Sequence, residues 1–229
     1  MIKNWELFAV PIGCVNSYDR HDVLKELVTK LVQDRPIDKG AQDSADYSGV
    51  RNTFNSVEES LFSIHDISPV DTLELAIFES WCTEKLDEFL RDTLQFYSPS
   101  GGIVTDCWVN EALEDDAHQK WHMHSNSILS ATYYLNYDPS IHEPLTFISP
   151  VWQAGTSPTL ELNTTELNKY NSTSFTPEYQ EGAFLIWSSH LKHGYHGNKF
   201  NKGRMSISMN YLPKTIKSYI YSFDIVPGR

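Results

Sequence analysis

The residues able to do chemistry fall in two short stretches. "WHMHSNSILSATYYLN", from Trp121 to Asn136, sets His122 and His124 one residue apart. Some seventy residues on, "GAFLIWSSHLKHGYHGNKFNKGRMSISMNYL" brings His190, His193 and His196, and then Arg204. Five of the chain's nine histidines thus sit in two short segments, each beside a β-type run. On a strand, residues two apart point the same way with Cα atoms roughly 6.5–7 Å apart. That spacing lets His122 and His124 converge on one metal ion at about 2.0–2.1 Å per Zn–N or Fe–N bond. In the absence of a bulge the same face carries Asn126, Ile128, Ser130, Thr132, Tyr134 and Asn136. The opposite face, with Leu129, Ala131, Tyr133 and Leu135, suits burial against a second layer. A His-x-His pair alone is weak evidence of a metal site; the second cluster gives it weight.

Elements must hold these residues in place, and the chain supplies two kinds. In "HDVLKELVTKLVQD", Val23, Leu24, Leu27, Val28, Leu31 and Val32 form one apolar stripe, which predicts a helix ended by Pro36. A second helix is expected over about 71–96, burying Leu75, Phe78, Cys82, Leu86 and Phe89. Between them "RPIDKGAQDSADYSGVRNTFNS" reads as a long polar loop, and residues 150–179, rich in Thr, Ser and Asn, as another. The run "FAVPIGCV" near the start predicts a first strand rather than a signal peptide, because Glu6 and Pro11 break the pattern. After "SPSGG" the texture changes to "IVTDCWVN", "SILSATYYLN", "LTFIS", "GAFLIWSS", "RMSISMNYL" and "SYIYSFDIV". Short β-runs without intervening helices imply antiparallel sheets closing into a sandwich or barrel. The expected organisation is a single domain over 1–229, mainly β with N-terminal helices (α+β), helical over 1–100 and β over 101–229.

Composition removes some classes of function. Lys and Arg total 18 against 30 Asp and Glu, a net charge of −12, so neither nucleic acid nor an anionic membrane is an expected partner. Three widely spaced cysteines (Cys14, Cys82, Cys107) make no disulfide framework and suit a reducing, cytoplasmic setting. No stretch approaches the 18 or more apolar residues of a membrane span.

The combination of His122/His124, "TYYLN", "FLIWSSHLKH" and "RMSIS" resembles the iron(II)/2-oxoglutarate-dependent oxygenases, and in particular a subgroup with His-x-His followed by "LS-x-x-YYL". The resemblance implies a double-stranded β-helix (a jelly-roll or cupin-like barrel) with a metal site at its mouth. It implies Fe(II) as cofactor, held by His122, His124 and His193, with His196 the second choice for the distal ligand. It implies 2-oxoglutarate as co-substrate, its far carboxylate paired with Arg204 and hydrogen-bonded by Ser206 and Tyr134, with Asn126 a further cofactor-side residue. Planar guanidinium suits that bidentate pairing better than lysine. The implied reaction is dioxygenation, an unidentified small-molecule or peptide substrate being hydroxylated by O2 with release of succinate and CO2. One departure stands out: the usual triad is two histidines and a carboxylate, whereas no acid follows either histidine at the second position here. A two-histidine centre is the alternative ligand set. A cupin-type metalloenzyme without 2-oxoglutarate, or a non-catalytic β-sandwich binding module using Trp108, Trp121, Trp152 and Trp187, are the competing functions.

Overall fold

The computed structural model describes residues 9–35, 47–55, 59–96, 100–150, 165–169 and 171–226. Thirteen strands and two α-helices occur among them. The chain runs β1 (Ile12–Val15), α1 (His21–Gln33), β2 (Tyr47–Ser48), β3 (Val50–Thr53) and α2 (Pro69–Glu88). It continues through β4 (Gly102–Ala112), β5 (His118–His122), β6 (Leu129–Asn136), β7 (Thr146–Ile148) and β8 (Ser174–Phe175). It closes with β9 (Phe184–Ser188), β10 (His193–Tyr195), β11 (Met205–Pro213), β12 (Thr215–Ser218) and β13 (Tyr221–Asp224).

The strands build two facing antiparallel sheets, which do not close into a continuous barrel. The major sheet has the order β1-β9-β6-β11-β4-β3, and the minor sheet β2-β5-β10-β7-β8; β12 and β13 form a separate hairpin. Period-two alternation sorts the side chains of the major sheet into two cores. Outward-facing Cys107, Val109, Ala131, Tyr133, Ile186, Ile207 and Met209 pack with Leu24, Val28, Leu75, Phe78, Cys82 and Leu86 of the helices. Inward-facing Tyr134, Leu185 and Trp187 pack with Phe147, Leu191, Tyr195 and Tyr179 between the sheets. The helices therefore stiffen the sheet from behind and leave its inner face free for a site. Ser68 caps α2 by accepting the Asp71 amide proton at 3.1 Å, and Pro69 takes the first position, where a missing N–H costs nothing.

Several expectations need correction. Val23 is 47% exposed, so the stripe of α1 consists of Leu24, Leu27, Val28, Leu31 and Val32. The second helix ends at Glu88 and passes into a π-turn over Phe89–Thr93, which buries Phe89 and Leu90. The expected loop at 35–56 contains β2 and β3, edge strands of the two sheets; the first hundred residues thus hold strands as well as helices. Most of the remainder of that stretch, and 151–164 of the second expected loop, lie outside the described residues. "SYIYSFDIV" is the second half of a hairpin whose first strand, β12, had no sequence signal. No helix among the described residues is long and apolar enough to cross a membrane. Cys14, Cys82 and Cys107 are all free thiols.

Candidate metal centre

His122 and His193 meet because β5 and β10 pair antiparallel with these two residues directly opposite each other. Gly194 makes that pairing close: a Cβ there would lie 2.7 Å from the carbonyl oxygen of Gln119. His124 comes from the connection between β5 and β6. The expected continuous strand through 122–136 is broken over 123–128, and the segment is pinned instead by the His124 amide on the Ser189 carbonyl at 3.0 Å. The face expected from Ser130 onward does hold, with Ser130, Thr132 and Tyr134 turned inward.

The three rings converge. One ligand nitrogen from each of His122, His124 and His193 can be chosen so that all lie within 4.8 Å of one another. Ring centroids are 4.3 Å apart for His122 and His193, and 5.2 Å for each of the other two pairs. The Nδ1 atoms face outward to groups that only accept: His122 to the Lys120 carbonyl at 2.9 Å and His193 to the Leu191 carbonyl at 2.8 Å. His124 Nδ1 lies 2.6 Å from Asn210 Oδ1. The amide of Asn210 is oriented by its other end, which donates to the Asp106 carboxylate at 3.1 Å. Each Nδ1 therefore carries the proton and each Nε2 keeps its lone pair.

Two such lone pairs, on His122 and His124, stand 3.3 Å apart with no proton between them. A metal ion would relieve that repulsion, and about 3 Å is the separation two ligands at right angles adopt around an ion at about 2.1 Å. Burial pushes the His193 imidazole well below its ordinary pKa, with His122 adding to the effect. Burial likewise lowers His124. Both are neutral near pH 7, the state a ligand needs. His190 and His196 are exposed; His196 packs edge-on against Trp121 at 4.9 Å.

Arg204 immediately precedes β11 and is 3% exposed. Its guanidinium carbon sits 4.2 Å from the Tyr195 ring centroid and 5.1 Å from that of Tyr134, and Nη2 donates to the Tyr134 hydroxyl at 3.4 Å. Nε has no partner, and no carboxylate among the described residues pairs with this cation. A buried guanidinium without a counter-ion is costly, and here it faces the interior shared by the two sheets. Ser206 is opposite Tyr134 across the β11–β6 ladder and 2% exposed. Burial holds the Tyr134 hydroxyl protonated far above its ordinary range, fixing it as a donor. Arg204, Ser206 and Tyr134 are thus gathered at one place. Asn126 is not: it is exposed, and its amide contacts Asp106 at 3.3 Å and Asn210 at 3.4 Å, four residues (about 13 Å) further along β11.

Sequence reasoning missed several residues that the fold brings in. Tyr195 stacks on Arg204, and Gln119 places its amide nitrogen 3.3 Å from His122 Nε2. Trp108 stacks on His124 at 5.9 Å, and its indole N–H is buried without a partner, as is Asn110 Oδ1 on the same strand face. Asn210 had a readable signal: in "RMSISMN", Arg204, Ser206, Ser208 and Asn210 alternate along one face of a strand.

The fold is a double-stranded β-helix, and solved 2OG-Fe(II) oxygenases share it. A Pseudomonas putida prolyl-4-hydroxylase superposes with a TM-score of 0.52 at 11% identity, covering 88% of this chain and 92% of that one. The nogalamycin-biosynthesis epimerase SnoN, described as non-heme and alpha-ketoglutarate-dependent, gives 0.59 at 13%, covering 90% and 79%. EctD from S. alaskensis, solved with 2-oxoglutarate and 5-hydroxyectoine, gives 0.53 at 14%, covering 90% and 73%. Identities this low speak for the fold alone. No curated protein matches the chain by sequence.

A family model also matches part of the chain. Residues 106–210 match the family model described as "Putative 2OG-Fe(II) oxygenase", a span that opens on β4 and ends at Asn210 in β11. Over that span, a little under half of its length, the chain is similar to 2OG-Fe(II) oxygenases.

Proposed function

We propose that this protein is an Fe(II)/2-oxoglutarate-dependent dioxygenase that hydroxylates a C–H bond of a small-molecule or peptide substrate. Iron bound with 2-oxoglutarate supplies the oxidising power for O2-dependent hydroxylation, succinate and CO2 being the co-products. The chain's own residues do the holding. His122, His124 and His193 offer three neutral Nε2 atoms, each ring oriented by the acceptor on its Nδ1. Arg204 offers its forked donors to the far carboxylate of 2-oxoglutarate, assisted by the Tyr134 and Ser206 hydroxyls. Helices behind the major sheet stiffen the strands that carry Tyr134 and Ser206 beside Arg204, a rigid support that such chemistry needs.

The observation that carries the reading is Arg204: a buried cation, unpaired by any described carboxylate, in the same interior as three converging imidazoles. A cupin-type centre has no use for that cation, whereas a dicarboxylate co-substrate neutralises it. The test is anaerobic titration of Fe(II) with 2-oxoglutarate, followed through the weak visible charge-transfer band. The band is expected in the wild-type protein and absent in His193→Ala and Arg204→Met. Iron binding to which 2-oxoglutarate adds nothing would sink the reading.

A further inference from the structure

The carboxylate missing from the triad has a counterpart two hydrogen bonds further out. We propose that Asp106 is a positioning residue which, through Asn210, orients and polarises His124 as a metal ligand, supplying in the outer shell the negative charge the inner shell lacks. The inference rests on the metal centre proposed above.

Three observations support it. Asp106 and Asn210 are directly opposed in the β4–β11 ladder, so their contact is built into the sheet register. The connection is continuous: Asp106 Oδ2 accepts from Asn210 Nδ2 at 3.1 Å, and Asn210 Oδ1 accepts from His124 Nδ1 at 2.6 Å. The amide is also fixed from other sides, since Ser127 Oγ and Ser130 Oγ donate to the same Oδ1 at 3.2 and 3.3 Å. Asn210 is 4% exposed and cannot swing away without losing these bonds. The other two imidazoles end on backbone carbonyls, so His124 alone of the three is wired to a carboxylate.

An amide cannot relay a proton between histidine and carboxylate here, because its nitrogen already donates and its oxygen already accepts. The effect is polarisation. The carboxylate draws on the amide N–H, the amide oxygen becomes a stronger acceptor, and the electron density at His124 Nε2 rises. Asp106 has further donors, Asn126 Nδ2 at 3.3 Å and Thr105 Oγ1 at 3.1 Å, which keep its charge in place.

The experiment measures metal affinity without turnover, by anaerobic titration of the apo protein with Co(II), whose visible absorption reports ligation, and by competition with Fe(II). Asp106→Asn should bind about 10–100-fold more weakly than wild type. Asp106→Glu, which keeps the charge, should recover most of the loss. Asp115→Asn removes the same charge from an exposed position and should change nothing. A purely structural Asp106 would show equal affinity in wild type and Asp106→Asn, and that equality overturns the proposal while leaving the metal centre intact. Failure of the wild-type protein to bind either metal overturns the centre itself, and the proposal with it. If Asp106→Asn does not fold, Asn210→Ser cuts the connection at its middle, and unchanged affinity there is equally fatal.

Discussion

Arg204 carries a cost that its neighbours do not fully offset. Tyr134 and Tyr195 give the guanidinium ring faces, and the hydroxyls of Tyr134, Tyr195 and Tyr179 interact with it, but no described carboxylate balances its charge. Removing an uncompensated buried charge tends to stabilise a protein even as it removes function. Arg204→Met is therefore expected to raise the melting temperature of the metal-free protein by about 2–4 °C, near 1 kcal/mol for a chain of this size. The same substitution should weaken 2-oxoglutarate binding by at least about 100-fold, the order expected for losing charge-assisted hydrogen bonds. Calorimetry of the two proteins with and without 2-oxoglutarate checks both signs; a fall in melting temperature would mean that the tyrosine cage suffices for the cation. Arg204 was conspicuous in the sequence because an arginine opening the alternation "RMSIS" is chemically distinctive. Asp106 was not, since nothing local distinguishes it from an ordinary acidic residue on the solvent side of a strand such as "IVTDCWVN". Its partner lies 104 positions away and is chosen by strand register.

At the scale of elements, β5 and β10 position the centre, and their sequences gave little sign of being strands. "HQKWH" and "HGY" lack an alternating apolar face; partners β2 and β7 on either side hold them in the sheet. β6, β9 and β11 were legible because both faces are buried and their apolar runs are correspondingly dense. Gly194 shows how tight the minor sheet is. A Cβ there would meet two backbone oxygens, Gln119 at 2.7 Å and Lys120 at 3.0 Å, and backbone cannot move aside as a flexible side chain can. Gly194→Ala should therefore prise β10 from β5, costing about 1–3 kcal/mol of stability. Because Lys120 also anchors His122 Nδ1, metal affinity should fall with it. Urea denaturation together with Co(II) titration checks the pair of effects; loss of stability with full metal affinity would show that the two histidines do not depend on this contact.

The molecule as a whole should be acid-sensitive in the metal-free state, and His142 is one identifiable cause. It is 3% exposed, and its Nδ1 accepts the Asp138 amide proton at 3.0 Å, so the ring is neutral. Burial, reinforced by the nearby charge of Arg204, lowers its pKa from the ordinary 6.5. The unfolded chain therefore takes up a proton near pH 6.5 that the native state refuses, and stability falls as pH drops through that range. His142→Asn, whose side-chain oxygen can replace the Nδ1 acceptor, should flatten the decline in melting temperature between about pH 7 and pH 5.5. An unchanged slope would assign the sensitivity to other buried histidines. The helical back layer and the antiparallel character of the core are visible in the sequence because they depend on local periodicity. The joining of an edge strand from residues 12–15 to one from 184–188 is not, because only the completed sheet selects that pairing.

β11 lies between β6 and β4 and pairs with both along most of its length. Without it the major sheet separates into β1-β9-β6 on one side and β4-β3 on the other. It is also the strand that carries Ser206 and Asn210 and follows directly on Arg204. On the ribosome, every histidine of the centre emerges before the strand that orients His124 and completes the interior. Until then the facing edges of β6 and β4 stay unpaired, an interval in which this chain is most open to chaperones and to misassembly with its own copies.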